Sequence, residues 1–116
     1  HIVTGHIDTV GEIVSIIDKN EFYDLSVKFD KNFENYVVKK GSITINGISL
    51  TIADINNNSV SVAIIPHTFN NTILNTLKSK DSVNIEFDIL AKYVEKNLST
   101  KNNSITMNFL EENGFV

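Results

Sequence analysis

Ser49 and Thr51 stand two apart in the β-rich stretch Ile48-Ser49-Leu50-Thr51-Ile52. In an extended strand alternate side chains share a face, so both hydroxyls point to one side and Leu50 to the other. A neutral hydroxyl wall donates and accepts hydrogen bonds without the desolvation cost of a charge. On residue types alone, a solvent-facing strand or a cross-strand hydroxyl pair is the commoner origin of such a pattern. His6, after Gly5, carries an imidazole whose ordinary pKa of about 6.5 suits proton transfer. It can equally be a partly buried strand residue whose ring nitrogen is satisfied by backbone. Asp88 precedes a change to helical periodicity, where an N-cap explains it. Asn46 belongs to Asn46-Gly47, a pair that suits a two-residue type I′ turn. Pro66, in Ile65-Pro66-His67-Thr68, ends a strand and leaves neighbouring backbone groups available to a ligand. Lys40, before Gly41, reads as a lysine closing a short helix at the negative end of its dipole. His1, His6 and His67 match no zinc spacing and no Cys assists them, so no metal site is expected.

The elements that must position these groups are mostly strands. Glu12 to Ile17 is rich in β-branched residues, and Asp18-Lys19-Asn20-Glu21 supplies a turn. Tyr23, Leu25, Val27 and Phe29 alternate with Asp24, Ser26 and Lys28, the period of a half-buried strand. Asp30 can cap a short helix carrying Phe33, Tyr36 and Val37 at helical spacing. Ser42 to Ile45 and Ile48 to Ile55 form a hairpin, and Val60, Val62 and Ile64 add a third strand before Pro66. Residues 67–77 are ambiguous, with a helical turn expected around Asn71 to Leu74. Val83, Ile85 and Phe87 alternate again. About six strands in mainly antiparallel order point to an all-β barrel or sandwich with one short inserted helix. Leu90, Tyr93, Val94 and Leu98 then lie at helical spacing, with Lys92 and Lys96 directed elsewhere. Ser104, Ile105, Phe109, Leu110 and Gly114 suggest a second helical piece.

Composition narrows the functional classes. The 116-residue, 13.0 kDa chain is 41% hydrophobic and 21% charged, which is ordinary for one globular domain. Surface scaling predicts that it buries roughly 66% of its extended-chain surface, enough for one core. The net charge is −4 and every basic residue is a lysine, which argues against a nucleic-acid surface. Absence of Cys removes disulfides, thiolate metal sites and Cys nucleophiles and agrees with a reducing compartment. No apolar run approaches the roughly 20 residues of a membrane span, so a soluble, cytoplasmic protein is expected. The chain opens at His1 directly on an apolar-rich segment, so the expectation is a chain without a leader, cut from a longer protein.

Thr4-Gly5-His6-Ile7-Asp8, Gly41-Ser42-Ile43 with Asn46-Gly47-Ile48-Ser49-Leu50-Thr51, Ile64-Ile65-Pro66-His67-Thr68 and Val83-Asn84-Ile85-Glu86 with Leu90-Ala91-Lys92-Tyr93-Val94-Glu95 occur in this order. Together they resemble the riboflavin synthase family of lumazine-binding barrels, and the tail Phe109-Leu110-Glu111-Glu112-Asn113-Gly114-Phe115 is similar to that family's end. Family members carry two tandem six-stranded Greek-key barrels. The Thr-Gly-His-Ile-Asp opening and the absence of Cys in the Asn-Gly segment resemble the second copy. The resemblance implies a lumazine-binding barrel over residues 1–88 and a helical tail over 89–116 for subunit association, with a homotrimer in the intact protein.

The implied activity is a dismutation. Two 6,7-dimethyl-8-ribityllumazine molecules exchange a four-carbon unit to give riboflavin and 5-amino-6-ribitylamino-uracil, with no cofactor. This chain would own half of a site completed by the N-terminal barrel of a neighbouring subunit. By resemblance, His6, Ser49 and Asp88 are the catalytic candidates. Thr4, Gly5, Ile7, Lys40, Asn46, Ser49, Thr51, Ile65, Pro66 and Thr68 are the substrate-binding candidates, with His67 peripheral. Many relatives have Asp where this chain has Asn46, and an amide accepts a hydrogen bond but takes up no proton. The competing expectation is a non-catalytic lumazine or flavin carrier of the same fold.

Overall fold

The computed structural model describes residues 5–88, 90, 92 and 93. Six antiparallel strands, β1 (Thr9–Asp18), β2 (Tyr23–Lys28), β3 (Ser42–Ile45), β4 (Ile48–Asn56), β5 (Ser59–Ile64) and β6 (Ser82–Phe87), close into a barrel in the order β1-β2-β5-β4-β3-β6. The β3-β4-β5 meander returns so that β5 lies beside β2, which is the Greek-key arrangement. Closure gives every strand a neighbour on both sides.

Alternation along each strand produces this barrel. Ile13, Leu25, Val27, Ile43, Ile45, Val62 and Ile85 are fully buried, and their strand neighbours face outward. At one end Phe29, Phe33 and Tyr36 gather around Phe87, with ring centroids 5.2, 5.3 and 5.5 Å from it. At Asn46-Gly47 the φ angles of 48° and 85° are both positive, as the predicted type I′ hairpin requires. β1 begins three residues earlier than the β-branched run suggests, because Gly11 lets it lie tightly on its neighbours. A Cβ there would come within 2.7 Å of the Lys28 carbonyl oxygen and collide with Ile85.

Before the tail, the described residues include three helical pieces where one short helix and a turn within the ambiguous stretch 67–77 were expected. Asp30 does cap, its carboxylate accepting from the Asn32 N–H at 2.8 Å, but the helix it caps is of the 3-10 type, Lys31–Tyr36. Phe33 and Tyr36 are three apart, and both pack on Phe87, a spacing that 3-10 geometry eclipses. The helix ends four residues before Lys40, so the helix-dipole account of that lysine is wrong. Lys40 instead occupies a turn with φ of 69°, closed by the Gly41 N–H donating to the Val38 carbonyl at 2.9 Å.

The second departure lies after β5. Helix α1 spans Pro66–Asn70 and is followed by a 3-10 helix at Ile73–Thr76, which overlaps the helical turn expected around Asn71 to Leu74. Pro66 does not merely stop a strand, since its fixed φ starts the helix. Phe69 and Leu74 are buried by it, and the Phe69 ring stacks on Tyr23 at 3.8 Å.

The helical tail expected over 89–116 lies outside the described residues except at its start. There the Lys92 N–H donates to the Asp88 carbonyl at 3.0 Å, and the Leu90 N–H donates to the Asp88 carboxylate at 2.9 Å. Asp88 therefore has the N-cap role its position predicts. Among the described residues, no helix is long and apolar enough to cross a membrane.

Candidate functional site

The hydroxyl wall forms as the alternation predicts. Leu50 and Ile52 point into the core, while Ser49 and Thr51 are exposed on the outer surface of β4. β3 pairs along this half of β4, setting Ser42 opposite Thr51 and Thr44 opposite Ser49. On its other side the β4–β5 ladder runs from Asn56↔Ser59 to Ile52↔Val62 and ends there. A bulge at Ala53, between Ile52 and Asp54, precedes this end and adds twist to the strand. The first half of β4 and the end of β5 thus form a mouth in the sheet.

The mouth has a defined rim. Ile65, 61% exposed, closes β5, and its carbonyl accepts from the Phe69 N–H at 3.0 Å. Pro66 therefore commits this carbonyl to α1, which narrows the expectation of backbone groups left for a ligand to the carbonyl's second lone pair. The Thr68 carbonyl is likewise engaged, by the Thr72 hydroxyl at 2.8 Å. Lys40 flanks the other end, since its N–H donates to the Ile52 carbonyl at 2.8 Å. A lysine in the left-handed region is disfavoured relative to Gly or Asn, and it fixes where this ammonium-bearing chain leaves the backbone.

Asp88 joins the wall through Ser42. The Ser42 hydroxyl donates to Asp88 Oδ2 at 3.2 Å, while Asp88 Oδ1 serves the helix cap. One carboxylate thus ties the helix start to the residue facing Thr51. Ser42 was not among the candidates that the sequence singles out.

The remaining candidates sit elsewhere. Asn46 is structural on both counts: its backbone N–H donates to the Asn84 carbonyl at 2.9 Å, and its side-chain oxygen accepts from the Asn84 N–H at 2.8 Å. Ile7 and Asn46 line an open depression of about 490 Å³ together with Gly47, Ile73, Ser82 and Asn84. His6 is exposed and precedes β1, which corrects the expectation of a partly buried strand residue. Gly5, at φ of 80°, turns the chain before it. Thr4 lies outside the described residues. His67 is exposed beside Asn71, as a peripheral residue would be.

Asp8 is a residue whose role the sequence conceals. Its carboxylate accepts from the Phe87 N–H at 2.7 Å and pairs with the Lys92 ammonium at 3.1 Å, so Lys92 faces the barrel rather than away from it. Both side chains are less than one-third exposed. The signal for these missed residues was the polar outward register of β3 and β6, which carries Ser42, Thr44 and Glu86 on one side of the sheet. Among the described residues no group of three or more His, Asp or Glu could hold a metal.

The lumazine binding domain family matches residues 4–88, the barrel with its hydroxyl wall. The chain belongs to this family. It is 36% identical to the riboflavin synthase of Photobacterium phosphoreum, across 100% of this chain and 56% of that protein. It is 41% identical to the riboflavin synthase of Actinobacillus pleuropneumoniae, across 99% of this chain and 56% of that protein. The chain therefore spans about half the length of the curated relatives it matches. Among solved structures it is similar to LumP complexed with 6,7-dimethyl-8-(1'-D-ribityl) lumazine, at a TM-score of 0.68 and 25% identity, covering 76% of this chain and 49% of the LumP chain. LumP has also been crystallised with flavin mononucleotide and with riboflavin. In this lumazine-binding barrel, the exposed hydroxyls and the end of the β4–β5 ladder lie on the same stretch of β4.

Proposed function

We propose that this chain is the C-terminal lumazine-binding half of a riboflavin synthase, binding 6,7-dimethyl-8-ribityllumazine at the β4–β5 mouth. The observation that carries the reading is the placement of Ser49 and Thr51. Two neutral hydroxyls stand outward where the sheet opens, with Ile65 supplying an exposed apolar face beside them. A flat heteroaromatic ring with hydrogen-bonding edges needs that combination. Lys40 and Thr68 form the rim, and Asp88, held by Ser42, places a carboxylate next to Thr51's cross-strand partner.

The reaction is a dismutation between two copies of one substrate, so it balances without an external oxidant, reductant or cofactor. The acidity of the C7 methyl group belongs to the lumazine. The protein must therefore hold two rings in register and move protons, contributions that come from orientation and general acid–base groups. His6 and Asp88 are the proton-handling candidates, and Ser49 orients the ring. His6 is exposed in the segment that leads into β1, which leaves it open to a ligand shared with a second barrel. The N-terminal barrel of a neighbouring subunit supplies that second half-site, and the tail over 89–116 joins subunits into a homotrimer.

A fluorescence titration of the chain with 6,7-dimethyl-8-ribityllumazine, followed over hours for riboflavin, tests the reading. Binding that weakens in Ser49→Ala, with little turnover until an N-terminal barrel is added, is the expected result. No binding by a folded sample overturns it. Binding with no turnover even after that addition favours the carrier function instead.

A further inference from the structure

Behind Ser49 lies a row of polar side chains that the proposed function leaves unused. Thr44 on β3 is opposite Ser49 on β4 and opposite Glu86 on β6. All three face outward, because Ile43, Ile45, Leu50, Ile85 and Phe87 occupy the alternate, buried positions. Beside the row lies Asp8, whose N–H donates to the Ile85 carbonyl at 2.8 Å and whose carboxylate accepts from the Phe87 N–H at 2.7 Å. Although outward-facing, Thr44 and Glu86 are only 2% and 3% exposed, whereas Ser49 is exposed. A buried carboxylate is therefore linked across two strands to a hydroxyl at the mouth.

We propose that Glu86 and Thr44 are positioning residues for Ser49: the Glu86 carboxyl group, acting through the Thr44 hydroxyl, holds the Ser49 oxygen as an acceptor toward the ligand. Directly opposed residues on one face have Cβ atoms about 4.5–5.5 Å apart, a span that carboxylate-to-hydroxyl and hydroxyl-to-hydroxyl hydrogen bonds bridge. A carboxyl oxygen that carries no proton accepts, and Thr44 directs its proton to it. The Thr44 lone pairs then take the Ser49 proton, and Ser49 presents its own lone pairs outward. Asp8 and Lys92 flank this stretch of β6: the Asp8 carboxylate accepts from the Phe87 N–H at 2.7 Å, and the Lys92 ammonium lies 3.1 Å from it. A wall polarised in this way selects a ligand group that donates, such as a ring N–H or a ribityl hydroxyl, over one that only accepts.

The inference rests on lumazine binding at the mouth, and the experiment separates the two. The dissociation constant for 6,7-dimethyl-8-ribityllumazine is measured by fluorescence for the full chain, Ser49→Ala, Thr44→Val, Glu86→Gln and the two doubles with Ser49→Ala, each checked for folding by thermal melting. Thr44→Val removes the relay, and Glu86→Gln puts an amide, with its two N–H donors, where the carboxyl group stands. Each is expected to weaken binding about fivefold when Ser49 is present and less than about twofold when it is Ala. If Thr44→Val fails to fold, Glu86→Gln carries the test. Equal losses in both backgrounds, or no loss in either, overturn the relay while leaving the site intact. A wild-type chain that does not bind, or a Ser49→Ala chain that binds as well as wild type, overturns the lumazine site and the relay together.

Discussion

Two polar rows cross the outside of this barrel, and they differ in what surrounds them. One joins Ser15, Ser26, Ser61 and Asp54 across β1, β2, β5 and β4. The other joins Glu86, Thr44 and Ser49 across β6, β3 and β4, with the Asp8 carboxylate on the Phe87 N–H at its end. Each consists of hydroxyls and carboxylates on the outer face of the sheet. The serine row is half-exposed or exposed throughout and borders a shallow depression of about 250 Å³. The second row contains Thr44 and Glu86, the buried polar residues among those described. Water can solvate the first row at no cost to the fold. The second must satisfy its polar groups within the protein, because burying them otherwise costs on the order of 1–3 kcal/mol each. The comparison separates a solvated surface from an organised one, although both have the same residue types.

The largest change should come from the frame that both rows share. Gly11→Ala puts a Cβ against the Lys28 carbonyl and Ile85, and is expected to destabilise the barrel by about 3 kcal/mol, read as a lower urea midpoint. A loss below about 1 kcal/mol would mean that β1 shifts outward easily. Next in size is the contrast in carboxylates. Glu86→Ala should cost about 2 kcal/mol, whereas Asp54→Ala, whose carboxylate is exposed and accepts from the Ile55 N–H, should stay within about 0.5 kcal/mol. Equal effects would erase the distinction between the rows.

Ligand binding sharpens the same contrast. Ser49→Ala combined with Thr51→Val should weaken lumazine affinity at least about tenfold, about 1.4 kcal/mol, while Ser26→Ala with Ser61→Ala should leave it unchanged. Affinity lost in the serine-row variant would move the site to the other side of the barrel. The smallest effect is expected at the junction with the tail. Asp88→Ala removes an N-cap and the acceptor for Ser42, and should cost about 1 kcal/mol by thermal melting. Asp88→Asn, which retains an acceptor, should recover most of it.

Much of the site was legible because period-two alternation fixes which side chains share a face. That rule put Ser49 and Thr51 together, and the Asn46-Gly47 pair set the hairpin that presents them. Capping chemistry similarly identified Asp30 and Asp88. The departures fall where the outcome depended on a distant partner. Lys40 looked like a helix terminus until Phe33 and Tyr36 found Phe87 and shortened the helix. His6 looked like a strand residue, but β1 starts at Thr9. Lys92 looked like a solvated helix residue because nothing in its neighbourhood along the chain reveals Asp8, 84 positions away.

By itself, then, the sequence determined the strands, the hairpin, the caps and the outward direction of the hydroxyls, all consequences of local dihedral preference and alternation. Only the tertiary structure decided which outward polar row is buried, where the β4–β5 ladder ends, and which carboxylate meets which hydroxyl. Those outcomes depend on strand order and register. Closing β6 between β1 and β3 brings Asp8 beside the row of Glu86, Thr44 and Ser49, although almost eighty residues separate Asp8 from Glu86.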